Sequence, residues 1–137
     1  MGELEVKGHR ERPIPPRAVR ELYEHVGWYR PGGEEAMTKV LESGPAVGAW
    51  DEDRLVGFMR ALSDGRFAAY VEDVIVHEEY RGSGVGGDLM ARLLEEVGDV
   101  AKVNLFCNPP VIPFYEGSGF RQTSYALMQR SQRQPEA

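Results

Sequence analysis

A single cysteine, Cys107, occurs among the 137 residues. That excludes an intramolecular disulfide and a cysteine-rich zinc site. Long apolar runs are also missing, and no stretch approaches the roughly 20 residues a membrane-spanning helix needs. Met1 to Arg10 is charged and has no apolar core, so no secretory signal is expected and the compartment is read as cytoplasmic. Positive charge is in deficit: 16 Lys and Arg against 22 Asp and Glu leave a formal net charge of −6. Nucleic acid binding needs clustered cations against phosphates, so an acidic chain is a poor candidate for it. Lys7, Arg10, Arg12, Arg17 and Arg20 do gather near the N-terminus, but a solvated helix face accounts for them. His9, His25 and His77 have no metal-ligand spacing, so no metal is expected. His77 falls in a turn and is expected at the surface. The length suits one domain over 1–137, with 129–137 read as a disordered polar tail.

Leu4 and Val6 alternate with charges, which predicts a short first strand. Pro13, Pro15 and Pro16 are read as a stop to regular structure. Val19, Leu22, Tyr23 and Val26 share one stripe, predicting a helix over 18–26 that Gly27 ends. Residues 27–33 form a loop holding Trp28 and Tyr29, and 34–41 a second helix. The period then becomes strand-like over 46–50, 55–62 and 67–76, an antiparallel meander with turns at 51–53 and 63–65. Val85, Leu89, Leu93 and Val97 recur at every fourth position, as the core stripe of a third helix does. A strand over 103–107, a short helix over 111–116 interrupted at Pro113, and a last strand over 120–128 complete the order. The class this predicts is α+β, a mixed α/β sandwich.

The richest segment runs from Val71 to Gly87. A strand ends at Val76, a loop holds Gly82, Gly84, Gly86 and Gly87, and a helix begins near Gly84. Backbone N–H groups at a helix start point outward, and the helix dipole adds about half a positive charge there. Glycines let the backbone approach an anion without a Cβ in the way. The physical reading is a phosphate or pyrophosphate cradle, against a plain flexible connection. A Walker loop needs Gly-Lys-Ser/Thr, whereas this loop ends Gly86-Gly87-Asp88. A Rossmann fingerprint needs an acidic residue at the end of the next strand, whereas Cys107-Asn108 stands there.

Arg81-Gly82-Ser83-Gly84-Val85-Gly86 resembles the Arg/Gln-x-x-Gly-x-Gly/Ala signature of the GNAT N-acetyltransferase superfamily. Glu72-Asp73-Val74-Ile75-Val76 looks like that family's fourth strand. Asn108, followed by Phe114-Tyr115-Glu116-Gly117-Ser118-Gly119-Phe120, looks like its Asn…Phe-Tyr-Glu-x-x-Gly-Phe segment. The three motifs come in the family's order and spacing and cover about the C-terminal half. The resemblance implies a central, mostly antiparallel sheet splayed between the fourth and fifth strands, with helices on both faces. It implies acetyl-CoA as co-substrate, with its pyrophosphate on Arg81, Gly82, Ser83, Gly84, Val85, Gly86 and Gly87. The pantetheine arm then falls to the backbone of Val74, Ile75 and Val76, with a further contact from Asn108. Tyr115 takes the place of the general acid that protonates the departing thiolate. Trp28 and Tyr29 lie in the loop that covers the acceptor in this family. Pro109, Pro110 and Pro113 depart from the family's continuous helix.

Acetyl transfer from a thioester to an amine needs a neutral amine, a donor to the oxyanion and a proton for the thiolate. Tyrosine, ordinarily near 10, suits the last task. Glu72, just before the end of the cofactor strand, is the candidate base or amine anchor. Asp73 points to the other face of a regular strand, and only a β-bulge, which the family has there, brings it into play, so it stands in reserve as a substrate-binding carboxylate. These carboxylates suggest an acceptor that is cationic in solution. Cys107 is read as a small buried hydrophobe rather than a nucleophile. The expected activity is transfer of an acetyl group to a primary amine by direct attack in a ternary complex. Two alternatives stand beside it: a non-catalytic acyl-CoA-binding or sensing module of the same fold, and a partner-binding protein using the basic stretch. Acetyl-CoA and an amine acceptor are the expected partners, without a membrane, and a homodimer is compatible with the sequence.

Overall fold

The computed structural model describes residues 3–133. Its first strand is β1 (Leu4–Gly8), followed by helices α1 (Pro16–His25) and α2 (Gly33–Glu42). Three long strands follow, β2 (Ala46–Asp51), β3 (Arg54–Ser63) and β4 (Ala68–Val76). Helix α3 (Val85–Val97), strand β5 (Lys102–Asn104) and the short helix α4 (Ile112–Glu116) complete the order. The chain divides into two units at Leu105/Phe106.

In the first unit the five strands form one sheet in sequence order. β1 to β4 are antiparallel neighbours, and β5 joins β4 in parallel. That last pairing covers only Ala68↔Lys102, Ala69↔Val103 and Tyr70↔Asn104. The second half of β4 therefore runs on beyond the register, which is the splay expected between the fourth and fifth strands. β5 is shorter than the predicted 103–107 for the same reason.

Helices cover both faces. On one face, α1 and α2 bring Val19, Leu22, Tyr23, Met37 and Leu41 onto Trp50, Leu55, Phe58 and Ile75 of the sheet. On the other, α3 buries Val85, Leu89, Met90, Leu93 and Val97. Gly57 fixes how closely that helix sits, since a Cβ there would come within 2.7 Å of Leu89 Cδ1. Each such aliphatic side chain contributes about 1.5–3 kcal/mol by leaving water, so both layers have an apolar reason to stay on the sheet.

Three local expectations change. Pro15 and Pro16 do not stop structure but start it: Pro15 is the N-cap of α1 and Pro16 its first residue, where a fixed φ and a missing N–H cost nothing. In the second unit, Pro109–Val111 forms a 3-10 turn and Pro113 sits in the first turn of α4, so it opens that helix rather than interrupting it. The strand predicted over 120–128 does not form. Tyr125 and Met128 are 85% and 89% exposed. Arg121-Gln122-Thr123-Ser124 is polar throughout and 125–128 has no two-residue alternation, so nothing assigns this segment a buried face. Of the predicted tail, 129–133 is irregular and 134–137 lies outside the described residues.

Candidate active site

β4 positions the site. Between Phe58 and Arg60 of β3 the register slips, and two residues of β4, Asp73 and Val74, stand opposite one. Asp73 takes the left-handed backbone, with φ 56°, a conformation Asp tolerates better than most residues. A bulge of this kind breaks the side-chain alternation of a strand. Here it brings Glu72 and Asp73 together on the face covered by α1.

Asp73 is sealed there, its side chain 1% exposed. Oδ2 accepts from the Tyr23 hydroxyl of α1 at 2.9 Å and from Arg60 Nε of β3 at 2.6 Å. Oδ1 accepts from Arg30, which reaches in from the loop between α1 and α2. Burial alone raises a carboxyl pKa, but the Arg30 and Arg60 guanidiniums outweigh it and hold Asp73 below its ordinary value. Tyr23 moves the other way, pushed up by burial and then by the Asp73 charge.

Glu72 pairs with Arg60 across the strands and keeps a quarter of its side chain in solvent. Arg30 Nη2 lies 3.3 Å from its Oε1. Tyr70, two residues back on the same face, hydrogen-bonds Glu72 and is raised by burial and by that carboxylate. Glu72 is thus an accessible carboxylate with weaker ties, whereas Asp73 is buried and fully engaged by the chain's own donors. Trp28 and Tyr29 lie two and one residues before Arg30. Trp28 is half-exposed, 6.4 Å centroid to centroid from Tyr23, and Tyr29 is largely exposed.

At its C-terminal end β4 runs through Val74, Ile75 and Val76 into the glycine loop. Val76 pairs with Gly57, and its carbonyl accepts from Arg81 Nε at 3.0 Å, tying the loop to the strand. Ser83 Oγ donates to the Tyr80 carbonyl. Gly82 and Gly84 have φ of 80° and 88°, a region closed to most side chains. Gly84 is the N-cap of α3, and no side chain caps it. The first-turn N–H groups of Val85, Gly86 and Gly87 have no intrahelical acceptor. A Cβ built at Gly82, Gly84 or Gly87 would meet nothing within 4 Å. The loop therefore offers bare backbone donors at the positive end of a 13-residue helix, which fits a pyrophosphate.

His77 is buried rather than exposed. Its Nδ1 accepts from the Glu79 N–H at 3.2 Å, Nε2 lies 2.9 Å from Arg54 Nη2, and its ring stacks on His25 at 3.9 Å. Burial, then the neighbouring His25 and Arg54, lower its pKa. His77 thus packs between His25 of α1 and Arg54 of β3, just ahead of the glycine loop.

The second unit carries Cys107, Asn108 and Tyr115. Asn108 is exposed, and its carbonyl accepts from the Val111 N–H. Tyr115 is half-buried, edge-on to Phe114 and Phe120 at 5.0 and 6.0 Å. Burial, then the Cys107 thiol, raise its pKa, so it holds its proton. Cys107 is half-buried with a free thiol.

Arg30, Arg60, Tyr23 and Tyr70 were not anticipated as parts of this site. Tyr23 reads as core stripe and is also that, but its hydroxyl is polar and needs a partner once buried. An arginine beside two loop aromatics is the one local signal for Arg30.

A family model described as the Acetyltransferase (GNAT) family matches residues 12–120. An uncharacterised N-acetyltransferase, ycf52-like, of Prochlorococcus marinus is 34% identical over 108 residues, covering 74% of this chain and 60% of the relative. Serotonin N-acetyltransferase 2, chloroplastic, of Oryza sativa is 36% identical over 119 residues, covering 80% and 58%. The chain thus spans a little under two thirds of the length of these curated relatives. A candidate acetyltransferase of Deinococcus radiodurans R1 shares the fold with a TM-score of 0.78 at 31% identity, covering 94% of this chain and 90% of that one.

Proposed function

The chain belongs to the GNAT acetyltransferase family, and from that premise we propose that it moves an acetyl group from acetyl-CoA to a primary amine by direct attack in a ternary complex. The observation that carries this reading is the division of labour along β4. One strand holds an accessible carboxylate at its bulge and ends in an uncapped glycine loop that suits a pyrophosphate.

Arg81 to Gly87 bind the pyrophosphate through backbone N–H groups, and Val74, Ile75 and Val76 present their backbone to the pantetheine arm. Asn108 adds a contact to the same substrate. Glu72 accepts the proton of the attacking amine, directly or through one water, so that nitrogen reaches the thioester carbon with its lone pair free. Backbone N–H groups near the bulge steady the oxyanion while the C–N bond forms. Tyr115 gives its proton to sulfur as the C–S bond breaks. Its raised pKa keeps that proton on oxygen until a thiolate develops nearby. Asp73 acts by position: it ties α1, β3 and the acceptor loop together beneath Glu72. Trp28 and Tyr29 wall the acceptor.

The rice relative is named for serotonin, an arylethylamine, which makes that class the first acceptor to test. Cytoplasm remains the proposed compartment, although that relative is named as chloroplastic. Among the described residues no helix is long and apolar enough to cross a membrane. The test is thiol release from acetyl-CoA across arylethylamines, polyamines, amino sugars and lysine peptides, with the acetylated amine identified by mass. Release that depends on one amine class supports the proposal. Tight acetyl-CoA binding with no transfer to any amine would leave the chain a sensing module.

A further inference from the structure

We infer that Arg30 is a specificity-determining residue: its guanidinium already occupies the Glu72–Asp73 carboxylate pair, so the acceptor site holds its amine as the neutral base and rejects polycations. This rests on the proposed acceptor site at Glu72.

The charges around the bulge balance within the chain. Glu72 and Asp73 bring two negative charges, and Arg30 and Arg60 two positive ones. Burial works against a charged Arg30, but its ties to Asp73 and Glu72 prevail and raise its pKa, so it stays a cation at any working pH. A single nitrogen, Nη2, faces both carboxylates, and 46% of the side chain remains in solvent. Arg60 is largely buried and bonded to Asp73. An ammonium group docking on Glu72 therefore meets the Arg30 charge beside the carboxylate that attracts it. A neutral amine meets no such repulsion and can still donate an N–H to Glu72. Arg30 thereby makes the bound ammonium a stronger acid, which is what attack on a thioester requires. An acceptor with one basic nitrogen on an uncharged, aromatic body suits such a site, where Tyr70 hydrogen-bonds Glu72 and Trp28 lies against Tyr23, a partner of Asp73. A polyamine, which keeps a second charge after losing one proton, does not. Two unit charges about 5–6 Å apart in a half-exposed site repel enough to change affinity about tenfold.

The test compares two probes of one shape, phenethylammonium and its neutral isostere phenethyl alcohol, with spermidine as the polycation. Binding to the full chain near neutral pH is followed by NMR at the Trp28 indole and the Tyr70 amide. Arg30→Met keeps side-chain bulk and leaves Asp73 its bonds from Tyr23 and Arg60. It should raise the affinity of phenethylammonium relative to the alcohol about tenfold and that of spermidine more, whereas Arg30→Lys should keep the parent's ratio. Loss of a purely structural latch would weaken both isosteres alike and leave the ratio unmoved. An unchanged ratio in Arg30→Met, or Arg30→Lys behaving like Arg30→Met, overturns the inference while the acceptor site stands. If no probe shifts either signal in any variant, the acceptor site at Glu72 is itself wrong and the inference falls with it.

Discussion

Asp73→Asn removes one charge and one hydrogen-bond acceptor from the bulge. The amide keeps the shape, tolerates the positive φ and still accepts from the Tyr23 hydroxyl. With its oxygen at the Oδ2 position it also still accepts from Arg60; what is lost is the ionic part of that bond and the whole of the bond from Arg30, which then faces an NH2 donor. A hydrogen bond to a charged group is worth about 1.5–3 kcal/mol, against about 1 for a neutral one. Arg30 is nearly half exposed, so its share falls toward the roughly 0–1 kcal/mol of surface pairs. Arg60, with 14% of its side chain exposed, carries most of the loss and is left without a counter-charge. We expect a destabilisation of about 2–3 kcal/mol near neutral pH, or a Tm lower by about 8–12 °C for a chain of this size. Because the folded pKa of Asp73 is lowered, its contribution is complete above the unfolded value of about 3.9 and is lost as pH falls through the folded one. Urea unfolding of parent and variant across this range should show a gap that is full above about pH 5 and closes in acid. A gap under about 0.5 kcal/mol at neutral pH, or one that stays constant through acid, refutes the assignment of Asp73 as a charged anchor.

Gly84→Val adds strain at φ 88° and points a branched Cβ into the space left for the pyrophosphate; calorimetry should show at least about tenfold weaker acetyl-CoA binding in a folded variant, and unchanged affinity would remove the cradle. Tyr115→Phe should lower kcat roughly 100-fold with acetyl-CoA affinity nearly intact; a kcat within about twofold of the parent means that another group protonates sulfur. Glu72→Gln should lower kcat/KM and move its rising limb to higher pH, because the amine must then arrive already deprotonated; an identical pH profile makes Glu72 a structural carboxylate.

The layers were legible because their signals are local. The stripe Val85, Leu89, Leu93 and Val97 names α3 and the face it buries, and turns at 51–53 and 63–65 separate short apolar runs that need no partner to be seen. The glycine loop was legible for the same reason: a left-handed residue and a helix start are written in adjacent positions. The bulge was not, since it exists only in the register of β4 against β3, and its effect on Asp73 follows from that register. Arg30 and Tyr23 join Asp73 across 43 and 50 residues, a convergence no spacing announces. His77 was placed in a turn correctly and at the surface wrongly, because the ring stacked on it, His25, comes from α1, far off in the sequence. The segment 120–128 misled through composition: β-prone residues make a strand only with a partner strand beside them.

The central claim is direct transfer without an acyl-enzyme, and order of mixing tests it. The chain at high concentration is mixed with acetyl-CoA alone, thiol is followed by a chromogenic reagent, and an arylethylamine is added afterwards. The account predicts no thiol burst before the amine, then release matched one for one by N-acetylated product. A burst equal to the enzyme concentration before the amine is added, with an acetyl group found on Cys107 or another side chain, contradicts it.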